Sequence, residues 1–447
     1  MYGIWQSRYN QSSEDYFLGG RNLPWPVAML SIVATETSVL TFISVPGLAY
    51  RDDWFFLQLA IGYIIGRILV SLFLLPQYFK SGVTSIYEII GQKFGPDIQK
   101  VASGVFSITR VLADGVRFLA TAVVVQVITG WSLSLAVLII GVVTIIYTLS
   151  GGIRTVVWVD SIQFVLYLFG GIASIFIVMS HLDQPFFAVL SSLADQGKIA
   201  VFNWQGDLMK DPYLFISAVV GGILLSFSSH GVDYMMVQRV LGTRNLKSAR
   251  KAMIGSGIFV FLQFGVFLLA GSLIYVLMGG IEMERDREFT SFIVNYLPVG
   301  LKGVLLAGVL SAAMSTLSSS INSLASSTVM DWMGGNQSIK KSQTVSFVWG
   351  VVLIGIALLF DESDSAIVIV GLQIASFTYG GLLGLFLLSK IDRQFHSISL
   401  IVGLVASLLV VFYLKQIGLA WTWFIGISVM VNIGVTFLVD SVLSLKK

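Results

Sequence analysis

The sequence predicts an all-α polytopic membrane protein. Of its residues 56% are apolar and only 11% charged, and mean hydropathy is +0.87. The apolar residues gather into about twelve stretches of roughly 20, the length that crosses a bilayer as a helix. A soluble domain carries about 25% charged residues, so an ordinary soluble globule is excluded. The first residues are polar and show no cleavable signal peptide. The lack of cysteine excludes disulfides and thiolate metal sites.

In chain order the expected spans run roughly 26–50, 53–79, 97–127, 132–150, 154–180, 212–240, 246–280, 290–332, 341–361, 364–390, 394–414 and 418–445. Loop by loop, seventeen of the 27 Lys and Arg residues fall in one set of alternate loops and seven in the other. The remaining three, Arg67, Arg110 and Arg117, lie inside spans. Arg239 to Lys251 and both termini belong to the basic set, which is therefore cytoplasmic. The net charge of +3 reflects this asymmetry and implies no nucleic-acid partner.

Span 1 is interrupted by Ala34-Thr35-Glu36-Thr37-Ser38 and span 6 by Ser226-Phe227-Ser228-Ser229-His230-Gly231-Val232-Asp233. They lie five spans apart and so run in opposite directions, and matched interrupted helices in two inverted halves point to a transporter's central site. Polar residues that merely join helices are the plainer reading. The expected organisation, in rough bounds, is a cytoplasmic segment 1–25, a five-helix repeat 26–180, an extracytoplasmic loop 181–211, a second repeat 212–390 and two further helices 391–447. Span 3 carries Arg110, Asp114 and Arg117 on one face, an ion-pair ladder with one surplus positive charge. Arg67, Glu36 and Asp233 add further buried charges, and a purely structural network is one reading of them. Span 8 holds Ser311 to Ser323, where Ala312, Ser315, Thr316 and Ser319 share a helical face and Ser318 sits beside it. Hydroxyls at membrane depth suit a dehydrated monovalent cation, although small residues also serve close helix packing.

Several segments resemble the sodium/solute symporter family, which includes sodium/glucose, sodium/proline, sodium/pantothenate and sodium/sialic acid carriers. They are Glu14 to Trp25 before span 1, Tyr147 to Gln163 between spans 4 and 5, Gln238-Arg239 at the end of span 6, and the hydroxyl run of span 8. The resemblance extends over essentially the whole chain. It implies the leucine-transporter-type fold, two inverted five-helix repeats plus two C-terminal helices, and sodium-coupled uptake of a small polar organic solute by alternating access. Most relatives have an extra N-terminal helix, and Met1 to Gln11 resemble only its tail.

The resemblance implies a main sodium site of the carbonyls of Ala34, Thr37 and Ala312 with the hydroxyls of Ser315 and Thr316. It permits a second sodium at Asp160 with Ser315, Ser318 and Ser319; the alternative for Asp160 is a salt bridge to Arg154. Positions matching the family's solute contacts are Ser38, Thr41, Ser226, Ser229, His230 and Gln373, with Arg117 added as a free cation for an anionic solute. The residues that sugar and sialic acid carriers use are not reproduced, since Ala60 and Ala113 stand at those positions.

The cofactor expected is a sodium ion, and the partners are a small solute and membrane lipid, with no obligate protein partner evident. The chain is expected to be integral to a bacterial cytoplasmic (inner) membrane. Alternatives are proton coupling through Glu36, Asp160 and Asp233, or a sodium-responsive membrane sensor. No paired catalytic motif or metal cluster accompanies His181, His230 and His396, so an enzyme is not expected.

Overall fold

The computed structural model describes residues 12–37, 39–335, 337–359 and 367–445, and they form a helical bundle. A short helix α1, Ser13–Leu18, is capped by Ser12, whose hydroxyl accepts from Asp15 N at 3.0 Å. The first repeat holds α2, Trp25–Glu36; α3, Val39–Arg51; α4, Leu57–Leu69; α5, Tyr87–Phe94; α6, Pro96–Thr129; and α7, Leu133–His181. α4 runs on through a π-helical turn, Val70–Leu74, to Ser81. Then come α8, Phe186–Asp195; α9, Phe215–Ser229; α10, Tyr234–Leu241; α11, Leu246–Leu277; α12, Glu288–Tyr296; α13, Val299–Ser327; α14, Ile339–Ala357; α15, Ile367–Ser389; α16, Ser397–Gln416; and α17, Phe424–Leu445.

Among the described residues seven helices are long and apolar enough to cross a membrane, and nine if each bent pair is one span. The other three expected spans fall on α6, the Leu133–Leu149 half of α7, and α15. The two interrupted spans are the two bent pairs: α2 meets α3 at 59° and α9 meets α10 at 64°.

α7 contains both spans 4 and 5, which meet at Gly152 with φ 60 and ψ −160, a conformation open to glycine. A Cβ there would also lie 2.4 Å from the Tyr16 carbonyl oxygen. Span 8 differs from expectation. The apolar stretch breaks at Leu297-Pro298, so α12 is a separate short helix and α13 starts at Val299, because Pro298 cannot donate into a helix interior.

Packing follows small residues. A Cβ on Gly62 would lie 2.4 Å from the Val219 carbonyl and one on Gly222 2.4 Å from the Leu59 carbonyl, so α4 and α9 touch backbone to backbone. The segment before α2 straps the bundle. Tyr16 Oη donates to Thr148 O at 3.3 Å, Arg154 to Gly19 O at 3.0 Å, Gln238 to Phe17 O at 2.8 Å and Leu23 N to Gly242 O at 2.9 Å.

Candidate functional site

The helix α2 ends at Glu36, and Thr37 leaves the helical region at φ −88, ψ 73. A helix end stops the ladder that would otherwise occupy its last carbonyls, and the last turn of α2 ends beside α13, while the Thr37 hydroxyl donates to Gln263 Oε1 of α11 at 3.1 Å. Thr35 Oγ1 and Ser319 Oγ are 3.5 Å apart across that gap. Ser315 and Thr316 are buried. Ser38 lies outside the described residues, as do the side chains of Ala312 and Gln373.

Asp160, on the second half of α7, stands beside this point. Its Oδ1 accepts from Ser315 Oγ at 2.5 Å, and its Oδ2 accepts from Ser31 Oγ at 2.7 Å and from Arg239 Nη2 at 3.2 Å. Arg239 also donates to Ser319 Oγ and the Met235 carbonyl. The ion pair of Asp160 is thus with Arg239, while Arg154 serves the strap. Arg239 is fully buried and is therefore no loop charge, so one of the seventeen residues counted as cytoplasmic belongs to the core.

These contacts bear on which residues can hold sodium. Ser315 donates its proton to Asp160 and keeps its oxygen lone pairs as acceptors. With Thr316 and backbone carbonyls it makes a set of neutral oxygens, a donor chemistry that fits a hard monovalent cation. The second set is different. A sodium among Asp160, Ser315, Ser318 and Ser319 would share one carboxylate with a guanidinium already in contact, burying an uncompensated positive charge. Ser318 Oγ donates back to Ser315 O at 3.0 Å. As arranged here, the second set does not fit a sodium ion, because Arg239 supplies its cation.

A cavity of about 60 Å³ lies between α2, α3, α4, α6, α9, α10, α11 and α15. Of the expected solute contacts, Thr41, Ser229, His230 and Arg117 line it. Ser226 does not; its hydroxyl donates to Tyr63 O at 3.1 Å and packs α9 on α4. Glu36, Tyr63 and Tyr379 also line the cavity. The last two were missed, because a lone tyrosine inside an apolar span reads as packing.

Around this cavity the charges form two groups, apart from the Asp160–Arg239 pair. Glu36 pairs with Arg67 and stands 3.6 Å from His230 Nε2, while Arg67 donates to Ser256 Oγ at 2.6 Å. In the other group Asp114 lies 3.6 Å from Arg110 and 3.3 Å from Arg117, and accepts from Ser320. Asp233 caps α10, accepting from Met235 N at 2.9 Å, and stands 3.5 Å from Arg110 with Tyr379 donating to it. The surplus positive charge expected on span 3 is thereby balanced, because the break in span 6 delivers Asp233 to Arg110. Arg117 is the outermost member, with 12% of its side chain exposed against 1% for Arg110.

Residues 16–391 match the sodium:solute symporter family. The sodium/sialic acid symporter NanT of Aliivibrio fischeri is 27% identical over 434 residues, which are 93% of this chain and 85% of that protein. The human sodium/iodide cotransporter is 27% identical over 416 residues, 89% of this chain but 64% of its own length. A solved structure of a Na+-coupled sialic acid symporter, substrate-bound and outward-open, is similar with a TM-score of 0.87 at 23% identity, over 98% of this chain and 94% of that one.

Proposed function

The chain belongs to the sodium:solute symporter family, and from that premise we propose that it carries a small organic anion, such as a carboxylate, with one sodium ion per cycle. It is an integral membrane carrier of the leucine-transporter type. The observation that carries the choice of an anion is Arg117, which lines the cavity with Asp114 as its ion-pair partner while the deeper Arg110 is shared between Asp114 and Asp233. Two relatives support it by their names: sialic acid and iodide share little beyond a negative charge.

The carbonyls of Ala34, Thr37 and Ala312 and the hydroxyls of Ser315 and Thr316 would hold the sodium, whose charge there links the broken end of α2 to α13. Thr41, Ser229 and His230 offer the solute neutral hydrogen bonds beside Arg117. At about 60 Å³ the cavity has room for about two waters, so the helices around it separate to admit a solute and close behind it. A proton-coupled cycle is less favoured, since Glu36, Asp160 and Asp233 each stand against an arginine. The basic loops favour a bacterial cytoplasmic membrane with both termini inside.

The test is uptake into proteoliposomes with and without a sodium gradient, beside a thermal-shift panel of carboxylates in sodium. Arg117→Gln should abolish the ligand-induced shift with little loss of basal stability. Arg110→Gln, which leaves two buried carboxylates short of a partner, should cost about 3–5 kcal/mol of stability. An uncharged solute bound equally well by Arg117→Gln rejects the anion.

A further inference from the structure

The first turns of α11 place Lys247, Lys251, Ile254, Ile258 and Leu262 at spacings of three and four residues, which is one helical face. Lys247 and Lys251 are exposed, and further along the same face Ile258 and Leu262 are 46% and 57% exposed. The face therefore passes from cations to a bare apolar strip within about three turns. Beside its basic end runs a groove of about 830 Å³, lined by Trp25, Leu246, Lys247, Arg250, Lys251 and their neighbours, with no acidic side chain in its wall. Trp25, in the first turn of α2, lies with its ring centroid 5.5 Å from Lys251 Nζ. Arg250 Nε donates to the Ser71 carbonyl at 2.9 Å, which fixes that guanidinium against the π-helical turn of α4.

Soluble anions need the cations alone, and an apolar partner needs the strip alone. Only an amphiphile with an anionic head uses both, and tryptophan beside lysine is what the polar edge of a bilayer selects. We propose that this groove binds the phosphate headgroup of an anionic phospholipid of the cytoplasmic leaflet, its acyl chains lying along Ile258 and Leu262. The lipid bridges α2 to α11 close to the strap bond that runs from Leu23, just before α2, to Gly242, in the turn between α10 and α11. Its occupancy therefore favours the conformation in which they are together.

The test uses the full-length protein in nanodiscs of phosphatidylcholine with and without phosphatidylglycerol, read by thermal unfolding and by mass spectrometry of retained lipid. Wild type should unfold at higher temperature with phosphatidylglycerol and retain it selectively. Lys247→Gln with Lys251→Gln should lose that selectivity, on the order of thirtyfold in apparent affinity at about 1 kcal/mol per lysine, while sodium-dependent uptake persists in neutral lipid. Rising salt should weaken the wild-type preference in parallel, a readout that holds even should the double variant fold poorly. The proposal is overturned if phosphatidylcholine stabilises equally, if glycerol phosphate alone reproduces the shift, if salt has no effect, or if a folded double variant responds as wild type does.

Discussion

Ser315 stands where two demands on one hydroxyl meet: its proton goes to Asp160, and its oxygen belongs to the proposed sodium set. Replacing Ser315 and Thr316 together by alanine should raise the sodium concentration for half-maximal uptake tenfold or more, on the order of 1–3 kcal/mol for the lost oxygens. Unchanged sodium dependence in a correctly inserted variant rejects the set. Asp160 and Arg239 obey a different logic because both are buried. Asp160→Asn strands a guanidinium without counter-charge and should cost about 3–5 kcal/mol; adding Arg239→Met removes the stranded charge and should restore most of it. Should Asp160→Asn melt with wild type, the pair does not hold the core. The hydroxyl ladder was legible in the sequence, since helical periodicity alone puts Ser315 and Ser319 on one face. Arg239 was not, because it sits 79 residues from Asp160 on another helix and reads locally as one more basic residue at a span's end.

At the scale of elements, polar runs inside greasy stretches foretold both bends, because backbone and side-chain polar groups at membrane depth persist only where protein or a cavity satisfies them. The break at Leu297-Pro298 escaped notice because hydropathy runs through it unchanged. Ser226 was read as lining and proved to be packing, since α9 turns that face to α4 and hydrophobicity does not say which neighbour a face meets. The joint at Gly152 gives a sharp contrast with an ordinary helical glycine. Gly152→Ala meets both a conformation closed to L side chains, about 1–3 kcal/mol, and the Tyr16 carbonyl at 2.4 Å. It should lower the melting temperature and the yield of folded protein. Gly434→Ala, with nothing within 4 Å of the new Cβ, should be neutral or stabilise by up to about 1 kcal/mol. Equal melting of the two variants would show that the joint is not under constraint.

For the whole molecule, hydropathy disclosed a polytopic helical bundle, in which up to nine of the twelve expected spans are long and apolar enough to cross among the described residues, and charge asymmetry suggested a direction for them. The balance of buried charge was hidden, because it depends on which helices meet. That balance has a consequence for energetics. A tenfold sodium gradient is worth about 1.4 kcal/mol, and one charge moving through about 100 mV adds roughly 2.3 kcal/mol. In the proposed cycle, with Arg239 serving as the cation at Asp160, one sodium would accompany one monoanion and no net charge would cross. Accumulation of the anion should then stop near tenfold for a tenfold sodium gradient, and a potassium-diffusion potential should change neither its rate nor its extent. A potential-driven rise in uptake, or a measurable transport current, would require a second sodium and reject the assignment of Arg239.

The strap of residues Tyr16 to Leu23 binds α7 on one side and α10 with its following turn on the other. A carrier that gapes on that face without solute lets sodium run down its gradient with nothing carried. Each strap bond contributes about 0.5–1.5 kcal/mol net, so the four together make such leaking states rare. Tightness of coupling should therefore depend partly on a short segment that lies outside the proposed sodium and solute sites.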